Sequence, residues 1–425
     1  PEWGVDPDVV VELTQDEFVA VQTARRQADL LYGSSTAETG PATQTISPKP
    51  LMIDRQLRKA LDIILAATEG GGALRSVRGL LQLWAEDGQR ITLVRTPHSA
   101  ELLREEAELG VEVVEIPPTP AGPTLVSVTA LLRDSGRLLT YLTTVRRVLR
   151  SKPEAVVLAF LTGTALIALA ASIGLGRRVI VCERTDVARH TDGWHVRALR
   201  SLLYPRAEAL TINSSSAESI QILKDASRGR PVHVVPNPNP RGMLRAAPRT
   251  SHTILSVGRL ESEKRHGVLI EAFARIQDRL PDCWRLRIVG EGSLRSELVT
   301  LVERFGVTDR VELVGHVEDP RQEFAAASLF VLPSAYEGTS NALLEAIASG
   351  LPCIASATAA PPSVGPAVRL VPPDDPAKLS EGLLSLCLDD AERSRLGESA
   401  ITLARSWSDA EVAGRWYEVL RSVAG

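Results

Sequence analysis

The sequence predicts an α/β protein of two doubly wound domains facing a central cleft, and three observations carry that expectation. Short Val/Ile/Leu runs alternate with helical or connecting segments along most of the chain. One Pro- and Arg-rich break, PNPNPRGMLRAAPRT at 236–250, interrupts the alternation, which then restarts. At 425 residues the chain has room for two hydrophobic cores.

The elements follow in order. Residues 1–50 join an acidic, helix-compatible start (Val9 to Tyr32) to a polar Ser/Thr/Pro/Gly stretch, and 1–55 read as an extension with a linker. In the first domain, 56–240, the strand candidates are 62–67, 91–95, 111–116, 155–160, 179–182, 209–213 and 232–235. In the second, 250–405, they are 253–257, 286–289, 311–314, 329–332 and 353–355. Residues 359–370 read as a Pro-rich loop, and 409–423, within a final segment 406–425, as the last helix. Residues 155–176 are 22 in a row without a charge, long enough to cross a bilayer. Thr162, Gly163 and Thr164 break that run, so it reads as a buried strand, turn and helix.

Charge is unevenly spread over a net of −4. Residues 1–50 carry 3 basic and 8 acidic side chains, 51–245 carry 26 and 19, and 246–425 carry 19 and 25, so the middle block is basic. Much of the basic charge lies on two amphipathic stretches, 131–152 and 189–206, where Arg is mixed with Leu, Trp194 and Tyr204. These are either solvated helix faces or contacts for an anionic membrane surface or a lipid diphosphate. No nucleic-acid module is recognisable and aromatic content is 4%, so no nucleic acid is expected as partner. Four cysteines far apart argue against a Cys-cluster metal site and for a reducing compartment. The expected location is cytoplasmic, peripheral at the inner membrane face.

The densest chemistry is PSAYEGTSNALLEAIASGLPCIAS at 333–356. Glu337 is expected to end a strand, and Gly338, Thr339, Ser340 and Asn341 to make a tight turn capped by Ser340 or Asn341. A helix without Gly or Pro until Gly350 follows. The N–H groups of its first turn attract an anion, and Glu345 suits an acceptor role toward hydroxyls. After the first strand of the second domain, LSVGRLESEK places Arg259 and Lys264 at a strand's carboxyl end, where two cations and a ring of N–H donors suit a departing diphosphate without a metal. Lys264 is one of only six lysines against 42 arginines, so a compact point charge here is unusual for the chain. Glycine turns after two further strands, at Gly290 and before His316 and Val317, let a flat ring approach the backbone. The run Gly70 to Gly72 after the first strand can admit a phosphate or sugar but lacks dinucleotide-fingerprint spacing. The Asp-Pro-Asp at 6–8 lies in the extension, and no His pair has metal-ligand spacing, so no metal site is expected. His190 and His195 read as surface residues.

Together these residues resemble the family-4 retaining glycosyltransferases of the GT-B fold (glycosyl transferases group 1), strongly over 254–375 and more weakly but continuously over 61–237. The resemblance implies two Rossmann-like domains, with the last helix crossing back to the first. It implies that Glu337 lies near the hydroxyls of a donor sugar and Glu345 at the ribose, that Arg259 and Lys264 hold the diphosphate, and that Gly338 to Asn341 bind phosphate and sugar through main-chain N–H groups. It places the base by the backbone near His316 and Val317, and the acceptor by Gly71 and Gly72. At VIVCERTD, Glu183 and Arg184 stand where many members have a histidine, on the acceptor side; this is similar to the subgroup with a Glu-Arg-Asn-Asp signature, with Thr185 for the Asn.

The expected activity is transfer, with retention, of a sugar from a nucleoside diphosphate donor, a UDP-sugar, to a hydroxyl acceptor. Arg259, Lys264 and Glu337 are the catalytic candidates, and no cofactor is called for beyond the donor substrate. A polyprenyl-diphosphate-linked glycan of cell-surface polysaccharide synthesis is the expected acceptor, with a soluble small molecule open. A UDP-sugar 2-epimerase on a similar fold and a non-catalytic nucleotide-sugar-binding subunit are the alternatives.

Overall fold

A computed structural model describes residues 62–67, 72–95, 108–115, 135–190, 193–214, 216–243 and 251–424. The extension and Gly71 lie outside them.

The first sheet has seven strands: β1 (Asp62–Ala67), β2 (Arg90–Arg95), β3 (Glu112–Glu115), β4 (Val156–Phe160), β5 (Arg178–Glu183), β6 (Ala209–Ile212) and β7 (Val232–Val234). They run parallel in the order β3-β2-β1-β4-β5-β6-β7. Parallel strands need crossover connections, and these come from α1 (Gly72–Glu86), α2 (Ser135–Ser151), α3 (Thr162–Ser172), α4 (Trp194–Leu203) and α5 (Ala217–Ala226). β4 is buried at every residue and α3 along most of its length, because both are covered on all sides by sheet and helices. No helix among the described residues is long and apolar enough to cross a membrane, so the charge-free run is a buried β-turn-α unit.

The second sheet has six parallel strands: β8 (Thr253–Val257), β9 (Arg285–Val289), β10 (Val311–Gly315), β11 (Leu329–Leu332), β12 (Cys353–Ser356) and β13 (Val368–Val371), in the order β10-β9-β8-β11-β12-β13. Its helices are α6 (His266–Ala274), α7 (Arg295–Arg304), α8 (Arg321–Ala326), α9 (Asn341–Ala348), α10 (Pro376–Leu388) and α11 (Asp390–Ser406), and α12 (Asp409–Ala424) follows them in the chain. β13 corrects the Pro-rich loop expected at 359–370. Its four residues sit between Pro366 and Pro372, and only parallel pairing of Val368 to Val371 with β12 makes them a strand. Strand order reverses between β1 and β4 and between β8 and β11, the switch points where doubly wound sheets open a crevice at their carboxyl ends.

Although it follows the second sheet in sequence, α12 packs on the first. Val412, Trp416 and Leu420 join Val77, Leu80 and Trp84 of α1 in one core cluster. The Trp416 ring meets Trp84 edge-on at 5.6 Å and lies 6.1 Å from Phe160. At the crossing, Asp409 accepts from Asn239 at 2.8 Å and from Arg241 at 2.6 Å, tying the start of α12 to the segment that leaves β7.

Candidate functional site

Two loops at the carboxyl ends of β8 and β11 build the centre of the site. β11 stops at Leu332, because Pro333 has no N–H to continue the ladder, so Glu337 lies on a loop rather than ending the strand. Ala335 N–H donates to Glu263 O at 2.8 Å, which holds this loop against the turn after β8. There Lys264 ends a 3₁₀ turn (Ser262–Lys264) and donates from Nζ to Glu337 Oε1 at 2.6 Å, an oxygen that also accepts from Ser334 Oγ at 2.8 Å. The Lys264 and Glu337 side chains are 18% and 12% exposed, low enough to strengthen the pair over a surface one. Arg259, the other expected cation, turns to Glu263 at 2.7 Å and stays largely in solvent.

Ser340 is the residue that caps α9: its Oγ accepts from Leu343 N–H at 3.4 Å. The loop before it presses on the first domain. A Cβ on Gly338 would lie 2.5 Å from Asn213 Oδ1 and 3.1 Å from Arg184 O, so only glycine fits this approach. Thr339 Oγ1 donates to Asn213 O at 2.6 Å, and Asn237 Nδ2 donates to Asn341 Oδ1 at 2.8 Å. Asn341 Nδ2 in turn donates to Ser76 Oγ on α1 at 3.1 Å. The side chains of Thr339 and Asn341 therefore bridge the two sheets.

Glu345, farther along α9, is buried, and Arg75 of α1 reaches its Oε2 at 2.7 Å. Burial pushes the Glu345 carboxyl up to about 7, Arg75 opposes that rise, and Asp319 adds to it.

The remaining expected residues fall in three places. Gly290 has φ +147°, and a Cβ there would lie 1.9 Å from Gly258 O, so its glycine serves the close packing of the β8 and β9 ends. His316 is exposed and Val317 half-buried, both just beyond β10. Gly72 opens α1, one turn before Arg75. Glu183 departs from its expected acceptor-side place. Its carboxylate is fully buried and accepts from Thr162 Oγ1 at 3.0 Å and from Tyr204 OH, with Arg200 at 3.8 Å. It neutralises Arg200 inside the first domain, because β5 runs one residue further than its apolar run and carries Glu183 into the core. The Arg184 guanidinium lies over Phe160 and Trp416, at 5.2 and 5.3 Å, and donates to Val235 O at 3.0 Å, while its main-chain oxygen faces Gly338.

Arg75, Ser76, Asn213 and Asn237 were not singled out from sequence, although Arg75 and Ser76 lie three and four residues past the end of the glycine run that was. Among the described residues no group of three or more His, Cys, Asp or Glu could hold a metal ion.

The site thus offers a fixed ammonium, a helix N-terminus and two carboxylates around a cleft between two doubly wound sheets. Residues 71–238 match the model of the glycosyl transferase 4-like domain, and residues 251–389 that of glycosyl transferases group 1. An exopolysaccharide phosphotransferase of Streptomyces coelicolor is 35% identical over 192 residues, 44% of this chain and 20% of that protein. An N-acetylgalactosaminyltransferase of Campylobacter jejuni, acting on N-acetylgalactosamine-N,N'-diacetylbacillosaminyl-diphospho-undecaprenol, is 32% identical over 164 residues, 38% of this chain and 44% of that enzyme. The chain thus spans less than half the length of these two relatives. The crystal structure of Anabaena HepE with UDP and glucose superposes with a TM-score of 0.69 at 18% identity, over 85% of this chain and all of that one. With both sheet domains matched, the chain belongs to the glycosyl transferases group 1, the family-4 glycosyltransferases of the GT-B fold.

Proposed function

We propose that the chain is a retaining glycosyltransferase that moves a sugar from a UDP-sugar to a hydroxyl without a metal ion. The observation that carries this reading is the Lys264–Glu337 pair, 2.6 Å apart, beside the N-terminus of α9. Lys264 has three N–H donors and spends one on Glu337, leaving two for a diphosphate. Glu337 is thereby fixed at the cleft to accept from sugar hydroxyls, and Glu345 is the candidate for the ribose. In the transfer, the bond from the anomeric carbon to the diphosphate oxygen breaks, and a bond to the acceptor oxygen forms on the same face. The acceptor's proton passes to the departing diphosphate. Charge grows on that leaving group, so Lys264, the α9 N-terminus and Arg259, once swung from Glu263, lower the barrier by meeting it. Anabaena HepE holding UDP supports the donor assignment, as a likeness of fold.

A lipid-linked acceptor at an anionic membrane surface is favoured by one patch. On α4, Trp194 and Leu202 are 71% and 59% exposed, on the same face as Arg197 and just before Arg206. The Campylobacter relative acts on an undecaprenyl-diphosphate-linked glycan by its name. A peripheral place on the inner membrane face follows, and flotation with anionic liposomes at low salt tests it; protein left at the bottom of the gradient argues for a soluble acceptor.

Release of UDP from a nucleotide sugar only when a hydroxyl acceptor is present tests the activity. Consumption of the donor without acceptor would point instead to an epimerase, and no consumption with retained binding to a non-catalytic subunit.

A further inference from the structure

The carboxylate of Glu345 is held from outside its own domain. It sits on α9 of the second sheet domain with its side chain 10% exposed, and its one hydrogen bond among the described residues comes from Arg75, 270 positions earlier in the chain. That bond uses Oε2 alone and leaves Oε1 without a partner. The charged groups facing this carboxyl are Arg75 from α1 and Asp319 from the segment after β10, and Asp319 is repulsive. Arg75 is therefore the counterion that opposes protonation of this buried carboxyl and favours its ionised, acceptor-only form. It can do so only while α1 and α9 are in contact, where Asn341 of α9 donates to Ser76 of α1, and Asn237 beyond β7 holds Asn341 and Thr339 across the same cleft.

We propose that Arg75 is a positioning residue for the nucleotide: it reaches across the closed cleft to hold Glu345 by Oε2, turning Oε1 toward a hydroxyl of the bound donor. Donor binding and cleft closure are thereby coupled. When the domains part, Glu345 loses its counterion along with its orientation, and the open form binds the nucleotide weakly. When they close, the acceptor is restored at the moment the cleft excludes water. The inference rests on the donor reading above, with Glu345 facing the nucleotide.

UDP binding by calorimetry to the full chain and to three variants at Arg75 tests it. Losing a charge-assisted bond that orders a buried carboxylate weakens binding about 10- to 100-fold, and this is expected for Arg75→Ala and Arg75→Gln. Arg75→Lys, which keeps the charge, recovers affinity to within about fivefold of the parent. A purely structural role for Arg75 predicts no such rescue ordered by charge. Should Arg75→Ala fail to fold, as judged by its melt, the Gln variant carries the same comparison. UDP binding by the neutral variants within twofold of the parent, or a Lys variant no better than Gln, overturns the proposal and leaves the donor reading standing. A parent chain that binds no nucleoside diphosphate overturns the donor reading, and this inference with it.

Discussion

Lys264→Ala separates the two demands placed on one ammonium. In the resting site Nζ lies 2.6 Å from Glu337 Oε1, and both side chains are mostly buried. Removing it leaves Glu337 with Ser334 Oγ, at 2.8 Å, as its remaining side-chain donor among the described residues. A hydrogen bond between charged groups contributes about 1.5–3 kcal/mol, so the variant should lose about that much stability. Some is recovered as water enters beside a carboxylate that is 12% exposed. Turnover should suffer separately. Loss of a fixed cation aimed at a developing charge costs roughly 10² in kcat. Lys264→Arg keeps the charge but moves it to a wider head, so it should restore stability better than turnover. The assay is initial-rate UDP release with saturating donor and acceptor, set beside thermal melts of the same preparations. Turnover of the Ala variant within threefold of the parent would remove Lys264 from the chemistry and leave it a structural partner of Glu337.

Other substitutions probe the frame around that pair. Gly338→Ala inserts a methyl 2.5 Å from Asn213 Oδ1 and 3.1 Å from Arg184 O, so closure is opposed by about 1–3 kcal/mol and UDP affinity falls about tenfold or more. Unchanged affinity would mean the cleft need not close to bind. Glu345 carries a pH signature. Burial raises its folded carboxyl to about 7, so its contribution to stability is full below the unfolded carboxylate range and is lost as pH rises through 7. Glu345→Gln should therefore gain in melting temperature on the parent between pH 5 and pH 8, by an amount on the order of 3 kcal/mol in stability; a pH-independent difference would contradict the burial argument. Trp416→Ala empties the contact with Trp84 and Phe160, 5.6 and 6.1 Å away, and should cost about 3–5 kcal/mol in the first domain. Denaturant unfolding checks it, and a loss under 1 kcal/mol would mean α12 is not an integral layer of that domain.

The sheets were legible because central strands such as β4, β6, β11 and β12 are buried on both faces and appear as near-continuous apolar runs. All twelve expected strands fall within one residue of those found. The exception, β13, is four residues with Arg369 inside and prolines on both flanks, and its identity comes from a neighbour in the sheet. In the site, the glutamate pair and Lys264 could be read because strand, turn and helix signals lie next to them. Glu183 misled because an ionisable residue at a strand's end usually faces solvent or ligand. Here Thr162, Tyr204 and Arg200 satisfy it in the interior, and only tertiary structure supplies them. Arg75, Ser76 and Asn237 escaped for a related reason. They meet α9 across 104 to 270 positions of sequence, and no local pattern marks a polar side chain whose partner lies in another domain.

The central claim is that this cleft binds a nucleotide sugar by cations and main-chain dipoles rather than through a metal. Calorimetric titration of the full chain with a panel of UDP-, GDP-, ADP- and TDP-sugars, each with and without EDTA, tests it most directly. The account predicts saturable binding of a UDP-sugar that EDTA leaves unchanged and that Lys264→Ala weakens. Binding that EDTA abolishes, or no binding to any member of the panel, would contradict it.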